Sequence, residues 1–375
     1  MNLVEQAAKA LVLAPAGIAI PQGRLCHTPE EAADACGVIG SCVVKAQVPT
    51  GKRGKAGGIK RADTPQAARA AAEAILAMSI DGHPVDAVLV EACAEITREF
   101  YAAVLSDFAS RRPLVLFSTE GGMDIEEVAA SRPDALRRTL VDPDAGFSRF
   151  DAAALVRGLD LGPAHDQVTD VLARLYGAYV ASDAELLEIN PLAVLSDGRV
   201  VALDCKFTLD DSAAFRQPEL TAAAASEPAT DLERRAAAAG LKFIQLDGDV
   251  GVLANGAGLT MTTMDVIAHF GGRPANFLEI GGEAYTKAET ALDLVLSNPG
   301  VKSLVVNFCG AFARTDVMAE GVVKAWEVLR PTLPVYFSIH GTGEDEAVRL
   351  VRERLGIEPF DLMEDAVKAA VEAAR

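Results

Sequence analysis

Glycine and positive charge meet in one short loop, Pro49-Thr50-Gly51-Lys52-Arg53-Gly54-Lys55-Ala56-Gly57-Gly58. Glycines let the backbone come close to a phosphate, while Lys52, Arg53 and Lys55 supply charge to hold it. The loop is not a P-loop, because Gly51-Lys52 runs into Arg53 instead of Ser or Thr, and the four-residue gap between glycines is missing. A solvated basic turn is the competing reading, since runs of charge are usually just that. Farther along, Asn190 and Asp204 stand on the two arms around Ser196-Asp197-Gly198-Arg199. A hard oxygen pair that leaves positions for water and phosphate is how proteins usually hold Mg²⁺. Asx residues near strand ends are also ordinary turn formers. Two further stretches, Asn255-Gly256-Ala257-Gly258 and Phe308-Cys309-Gly310-Ala311-Phe312-Ala313-Arg314-Thr315-Asp316, each follow an apolar run and precede a helical one. Free N–H groups at a helix opening attract anions, and two adjacent openings in one sheet would form one pocket. The first of them lacks the third glycine of a dinucleotide fingerprint, so plain helix-start punctuation is its alternative. The histidines His27, His83, His165, His269 and His340 are far apart, without metal spacing, and only His340 falls at a strand end. With no G-x-S-x-G, H-E-x-x-H or Ser/Lys pair, these residues suggest phosphate handling without a resident nucleophile.

The elements that must position them can be read in outline. Residues 3–14 read as a helix with Leu3, Ala7, Ala10 and Leu11 on one face, broken by Pro15, Gly17 and Pro21. Cys42 to Val48 is a β-branched strand that feeds the cationic loop. An alanine-rich helix over Thr64 to Met78 opens on Thr64-Pro65, a usual N-cap and first-turn pair. Ala87 to Glu91, Glu99 to Ser106 and Pro113 to Ser118 read as strands of the same sheet system, and helical sequence fills 151–180. Glu185 to Leu195 and Val200 to Asp204 then form a hairpin around Asp197-Gly198, which puts Asn190 and Asp204 at strand ends. Residues 226–240, which contain Pro228, are alanine-rich and charged, as a linker would be. Beyond 242, short apolar strands (251–254, 276–280, 303–308, 334–339) alternate with helices near 259–270, 285–297, 316–330, 344–355 and 362–374. That alternation implies a parallel sheet covered on both faces, with ligands at the carboxyl ends of its strands.

The bulk composition narrows the function. At 375 residues the chain needs two or three cores, and a hydrophobic content of 50% supplies them. The net charge of -18 repels nucleic acid and anionic lipid, so neither is expected as a partner, and any anion site must be built locally. No apolar run is long enough for a bilayer span, and Met1-Asn2-Leu3-Val4-Glu5 lacks the features of a secretion signal. Six scattered cysteines without a C-x-x-C pair read as reduced thiols. A cytoplasmic protein is expected.

Seven strings occur in order along the chain: Met1-Asn2-Leu3-x-Glu5-x-x-Ala8-Lys9, Val44-Lys45-Ala46-Gln47, Arg53-Gly54-Lys55-Ala56-Gly57-Gly58, Leu187-Glu188-Ile189-Asn190-Pro191-Leu192, Phe215-Arg216-Gln217-Pro218, Asn255-Gly256-Ala257-Gly258-Leu259 and Pro274-Ala275-Asn276-Phe277-Leu278. Together the chain resembles, from end to end, the β subunit of succinyl-CoA synthetase and its relative malate–CoA ligase. The resemblance implies an α/β fold. An ATP-grasp domain would cover 1–225, with a smaller subdomain at 22–100, and a flavodoxin-like parallel-sheet CoA-ligase domain would cover 241–375. It further implies that Lys45, Arg53 and Gly54 hold the ATP phosphates, Glu91 and Glu99 line the nucleotide site, and Asn190 and Asp204 bind Mg²⁺. Asn255 and the loop Gly310, Ala311, Phe312 and Ala313 would bind the acid. In such a family ATP phosphorylates a histidine of a separate α subunit, the phosphohistidine phosphorylates the carboxylate, and coenzyme A, held mostly on that subunit, displaces the phosphate. The expected partner is thus an α subunit in an αβ or α2β2 assembly.

The sequence departs from the family pattern at several points. Lys52 replaces a usual glycine, Asn307-Phe308-Cys309-Gly310-Ala311-Phe312 replaces Asn-Ile-Phe-Gly-Gly-Ile, Gly281-Gly282-Glu283-Ala284 replaces Gly-Gly-Gly-Ala, and Ser338-Ile339-His340-Gly341 replaces Arg-Leu-x-Gly. The last three fall where the acid should sit, so an acid other than succinate is an open expectation. A single-chain carboxylate–amine ligase of the ATP-grasp kind, and a diverged subunit that only binds nucleotide, are the competing functions.

Overall fold

The computed structural model describes residues 1–51, 53–225, 230–280 and 287–375. Lys52 and the Gly281-Gly282-Glu283-Ala284 stretch singled out above lie outside the described residues. The chain forms two compact units, Met1–Glu227 and Pro228–Arg375. Among the described residues no helix is long and apolar enough to cross a membrane.

The first unit is built on two large antiparallel sheets, with a small two-stranded one, Ser79–Ile80 and His83–Pro84, beside them in sequence. The smaller of the two large ones runs in the order Gly23–Cys26, Val88–Ala92, Cys42–Ala46, Ile59–Ala62. Helices Pro29–Ile39 and Pro65–Leu76 cover it, and both begin on a threonine followed by proline. Thr64 Oγ1 accepts from the Ala67 N–H, and Ala68, Ala71, Ala72 and Ile75 follow at helical spacing and are buried. Thr64→Ala should therefore lower stability by about 1 kcal/mol, read as a shifted urea midpoint with an unchanged slope.

The larger sheet joins Asn2–Leu3, Lys206–Leu209, Ala184–Leu195, Ile96–Asp107, Arg112–Ser118 and Leu136–Leu140, with Val200–Ala202 hairpinned onto Ala184–Leu195. Strands Val88–Ala92 and Ile96–Asp107 are close in sequence yet belong to different sheets. Helices Arg149–Leu155 and His165–Ala181 pack over the larger sheet, burying Leu172 and Leu175 in the same core as Phe100, Phe117, Leu187 and Phe207.

The amino terminus differs from the expected helix over 3–14. Asn2–Leu3 is a strand, Glu5–Ala8 is α-helical, and Lys9–Leu13 is a π-helical turn. The wider turn changes the inward face to Ala7, Ala8, Val12 and Leu13, while Ala10 is exposed and Leu11 only half-buried. Glu5 and Lys9 are buried as well.

The expected linker at 226–240 also differs. Its first residues, 226–229, lie outside the described residues, but Asp231–Ala238 is a helix of the second unit. Thr230 and Glu233 close a capping box at its start, and Leu232 and Ala236, one turn apart, enter that unit's core. The charged, alanine-rich composition is that of an amphipathic helix.

In the second unit Val250–Ala254, Ser303–Gly310 and Val335–Gly341 form a parallel sheet in that order. Asn276–Leu278 flanks Val250–Ala254 through parallel bridges, and Phe243–Gln245 pairs antiparallel with it at the edge. Ala257–His269 and Met363–Ala374 cover one face, while Ala288–Leu296, Thr315–Leu329 and Glu344–Leu355 cover the other. Burial on both faces is why these strands are continuously apolar.

Candidate active site

Strand Cys42–Ala46 and strand Ile59–Ala62 pair with Lys45 opposite Ile59, so the cationic loop must turn the chain back between them. Gly57 makes the turn at φ +81°, its N–H bonded to Gly54 O at 3.0 Å, and Gly58 N–H reaches Arg53 O at 2.9 Å. A Cβ on Gly58 would stand 2.8 Å from Ile80 Cδ1 and 3.2 Å from Arg53 O, so this close approach requires glycine. The loop therefore folds on itself and drives Arg53 inward, where it is only 5% exposed. Lys55 stays outside, its Nζ 3.6 Å from Asp124. A solvated basic turn would not bury its central arginine.

Arg53 enters a closed cluster of charges. Its Nη2 donates to Asp204 Oδ1 at 2.6 Å, its Nη1 donates to Ala46 O at 3.0 Å and lies 2.7 Å from Glu5 Oε2. Lys45 Nζ donates to Glu91 Oε2 at 2.5 Å, Leu203 O at 2.7 Å and Glu5 Oε1 at 3.0 Å. Lys9 Nζ donates to Glu5 Oε1 at 2.6 Å and to Glu91 Oε1 and Leu203 O at 2.7 Å each. Lys9, Lys45 and Arg53 thus balance Glu5, Glu91 and Asp204. Burial alone would push the Glu5 carboxyl up, but Arg53, Lys45 and Lys9 together hold it well below the usual carboxylate range. Burial likewise opposes charge on Lys45 and Arg53, and Glu5 with Glu91 or Asp204 holds both above their ordinary values. Because the folded Glu5 titrates below the unfolded one, its stabilisation is complete above the ordinary carboxylate value and is lost as pH falls toward the depressed one.

The cluster floors a cavity of about 450 Å³ lined by Lys45, Arg53, Gly54, Glu99, Asn190 and Asp204, joined by Glu5, Glu188 and Lys206. Of the expected nucleotide residues only Glu91 does not line it; buried behind Lys45, it braces the lysine. Asn190 lies within strand Ala184–Leu195, where the pairing register shifts between Ile189 and Leu192, and not at a strand end as expected. The shift frees its side chain to accept from Gly122 N–H at 2.8 Å and donate to Met123 O at 2.9 Å. Asp204 follows Val200–Ala202, and its Oδ1 accepts from Cys205 N–H at 2.7 Å as well as from Arg53. Among the described residues no histidine lines the cavity, and no group of three or more His, Cys, Asp or Glu side chains is arranged to hold a metal. Hard oxygens on Asn190 and Asp204 suit an ion that keeps most of its coordination for water and phosphate, which is the habit of Mg²⁺.

Glu5 and Lys9 stand in the first of the seven strings but received no site role from the sequence. Their spacing of four is equally that of a solvated helix pair, and only the burial of the stretch in the folded chain tells the two apart.

In the second unit Asn255 and the 310–313 loop meet where the strand order reverses, between Val250–Ala254 and Ser303–Gly310. Asn255 joins the two openings: its Nδ2 donates to Cys309 O and its Oδ1 accepts from Cys309 N–H, both at 2.8 Å. Gly256 N–H at the start of Ala257–His269 donates to Glu279 Oε2 at 3.1 Å. Gly310 is packed so closely that a Cβ would meet Ala313 O at 2.2 Å, while Ala311, Phe312 and Ala313 are exposed. Cys309, itself exposed, pairs in register with His340, whose Nδ1 is 3.5 Å from Glu344 Oε1. The departures at 309, 312 and 340 therefore gather at one end of the sheet.

Residues 2–194 match the ATP-grasp domain and residues 253–371 match the CoA-ligase family. The chain is 45% identical to the β subunit of a GDP-forming succinate–CoA ligase from Thermus thermophilus, over 94% of this chain and 93% of that one. It is 44% identical to the β subunit of an ADP-forming succinate–CoA ligase from Rubrobacter xylanophilus, over 100% and 99%. Among solved structures, ATP citrate lyase from Methanothrix soehngenii in complex with citrate and coenzyme A shares the fold over 99% of both chains, with a TM-score of 0.78 at 23% identity. With an ATP-grasp domain, a CoA-ligase domain and this identity over nearly its whole length, the chain belongs to the family of succinate–CoA ligase β subunits.

Proposed function

We propose that this chain is the nucleotide-binding subunit of a cytoplasmic acid–CoA ligase that forms ADP and passes phosphate through a histidine on a separate α subunit. The observation that carries the reading is the convergence of Lys45, Arg53 and Gly54 with Asn190 and Asp204 on one cavity. Lys45 and Arg53 fix positive charge at the cavity floor to attract phosphate oxygens, and Gly54 lets the loop backbone approach them. Asn190 and Asp204 would hold Mg²⁺, which when bound neutralises charge on the phosphoryl group in transfer. Glu99 borders the same space, against the backbone of Gly122. The phosphoryl acceptor would be a histidine of another chain, which would also carry most of the coenzyme A site.

In the second unit Asn255 sets the spacing of two helix openings whose backbone N–H groups would receive the acid's carboxylate. Succinate is the acid that the relatives' names give, and the ring of Phe312 makes malate or another small diacid the alternative. The relatives' names give both ADP and GDP, so the nucleotide base is a matter for assay. Mixing the chain with its α subunit, Mg²⁺, coenzyme A, ATP or GTP and a panel of acids should yield the diphosphate and a thioester with at least one acid. No diphosphate with any of them would overturn the reading. Phe312→Ile should change the kcat/KM ratio between two acids by about tenfold while KM for ATP stays put; an unaltered acid profile would remove Phe312 from the pocket.

A further inference from the structure

Glu5 touches every cation of the cluster. Its two oxygens lie 2.6 Å from Lys9, 3.0 Å from Lys45 and 2.7 Å from Arg53, and the residue is 2% exposed. Lys45 comes from a strand of the small sheet and Arg53 from the loop after it, whereas Glu5 comes from the helical turn that follows strand Asn2–Leu3 of the larger sheet. Two like charges side by side at the cavity floor repel, and a carboxylate with one oxygen on each turns that repulsion into a clamp. Lys9 does not line the cavity; it grips Glu5, Glu91 and Leu203 O from behind. The π-helical turn that begins at Lys9 belongs to the segment that aims both side chains inward.

We infer that Glu5 is a positioning residue of the phosphate site: it sets Lys45 and Arg53 at a fixed separation across the cavity floor, and Lys9 supplies the charge that keeps Glu5 buried. The inference rests on the nucleotide reading above and adds to it a division of labour. Glu5 serves geometry at the site, whereas Lys9 serves only the balance of charge.

The test uses the αβ enzyme with calorimetric titration of Mg·ATP alongside thermal melting. Glu5→Gln leaves three buried cations facing two carboxylates, so both stability and binding should suffer. Glu5→Gln combined with Lys9→Met restores the balance, two cations against two carboxylates, and should recover the wild-type melting temperature. The double variant should still bind Mg·ATP about 10–100-fold more weakly, the usual cost of removing a group that orients ligand-binding side chains. Lys9→Met alone should lower the melting temperature. A double variant with wild-type melting and wild-type affinity would overturn the inference, because Glu5 would then serve stability alone. A double variant that fails to recover its melting temperature overturns the role given to Lys9. Failure of the wild type to bind Mg·ATP in the same titration would instead defeat the nucleotide reading itself, so the two failures are told apart.

Discussion

Asp204→Ala should cut transfer of label from γ-labelled ATP to the α-subunit histidine by about 10²–10³-fold, the usual loss when a group stabilising the transition state is removed. Asp204 Oδ1 is committed to Arg53 and to Cys205 N–H, and the carboxylate lines the cavity beside Asn190. Removing it takes away both an oxygen donor for a divalent ion and the anchor that points Nη2 of Arg53. Asp204→Asn separates this role from that of a turn former. The amide oxygen can still accept from Cys205 N–H, so the local turn should persist, and because the Asp204 side chain is 35% exposed, water offsets part of the lost charge and the melting temperature should fall less than in Glu5→Gln. The neutral amide is a poorer partner for both Arg53 and Mg²⁺, so labelling should remain low. Wild-type labelling in the asparagine variant would reduce Asp204 to a turn residue.

Lys45→Met should be the most destabilising change at the site. Methionine fills the volume but leaves Glu5, Glu91 and Asp204 facing only Lys9 and Arg53. Breaking a buried ion pair by removing one partner costs about 3–5 kcal/mol, chiefly because the remaining charge is buried without compensation. For a unit of this size that is a fall of roughly 6–20 °C in its thermal transition. Labelling of the α subunit should also fail at temperatures where the variant is still folded. A variant that melts with the wild type would mean that solvent reaches the cluster; one that melts low but phosphorylates normally would confine Lys45 to a structural part.

How far the sequence disclosed this molecule depended on how local the determinants were. The second unit was legible almost element by element, because continuously apolar strands and helices of regular length alternate there and each determinant sits inside its own element. The helix after Thr64 was legible from its cap, and the hairpin at Asp197-Gly198 from its turn. The amino-terminal segment was not, because a single widened turn redirects the face that a regular period assigns to Ala10 and Leu11. The supposed linker was misjudged because charge and alanine describe a surface helix as well as a tether; only the burial of Leu232 and Ala236 tells them apart. At the site, Arg53, Asn190 and Asp204 stood out by residue type, and the structure brings them to one cavity although Asn190 lies inside its strand and not at its end. Glu5, Lys9 and the bracing position of Glu91 depend on contacts between segments some forty to two hundred residues apart in sequence, and no local pattern encodes those.

On the proposed function, the cavity floored by Lys45 and Arg53 takes a magnesium nucleoside triphosphate. Calorimetric titration of Mg·ATP and Mg·GTP into the αβ enzyme, with the Asp204→Ala form titrated in parallel, tests it most directly. The wild type should take up one triphosphate per chain saturably, and the variant should lose that uptake. Absence of uptake of either nucleotide by the wild type, or equal uptake by both forms, would contradict the proposed function.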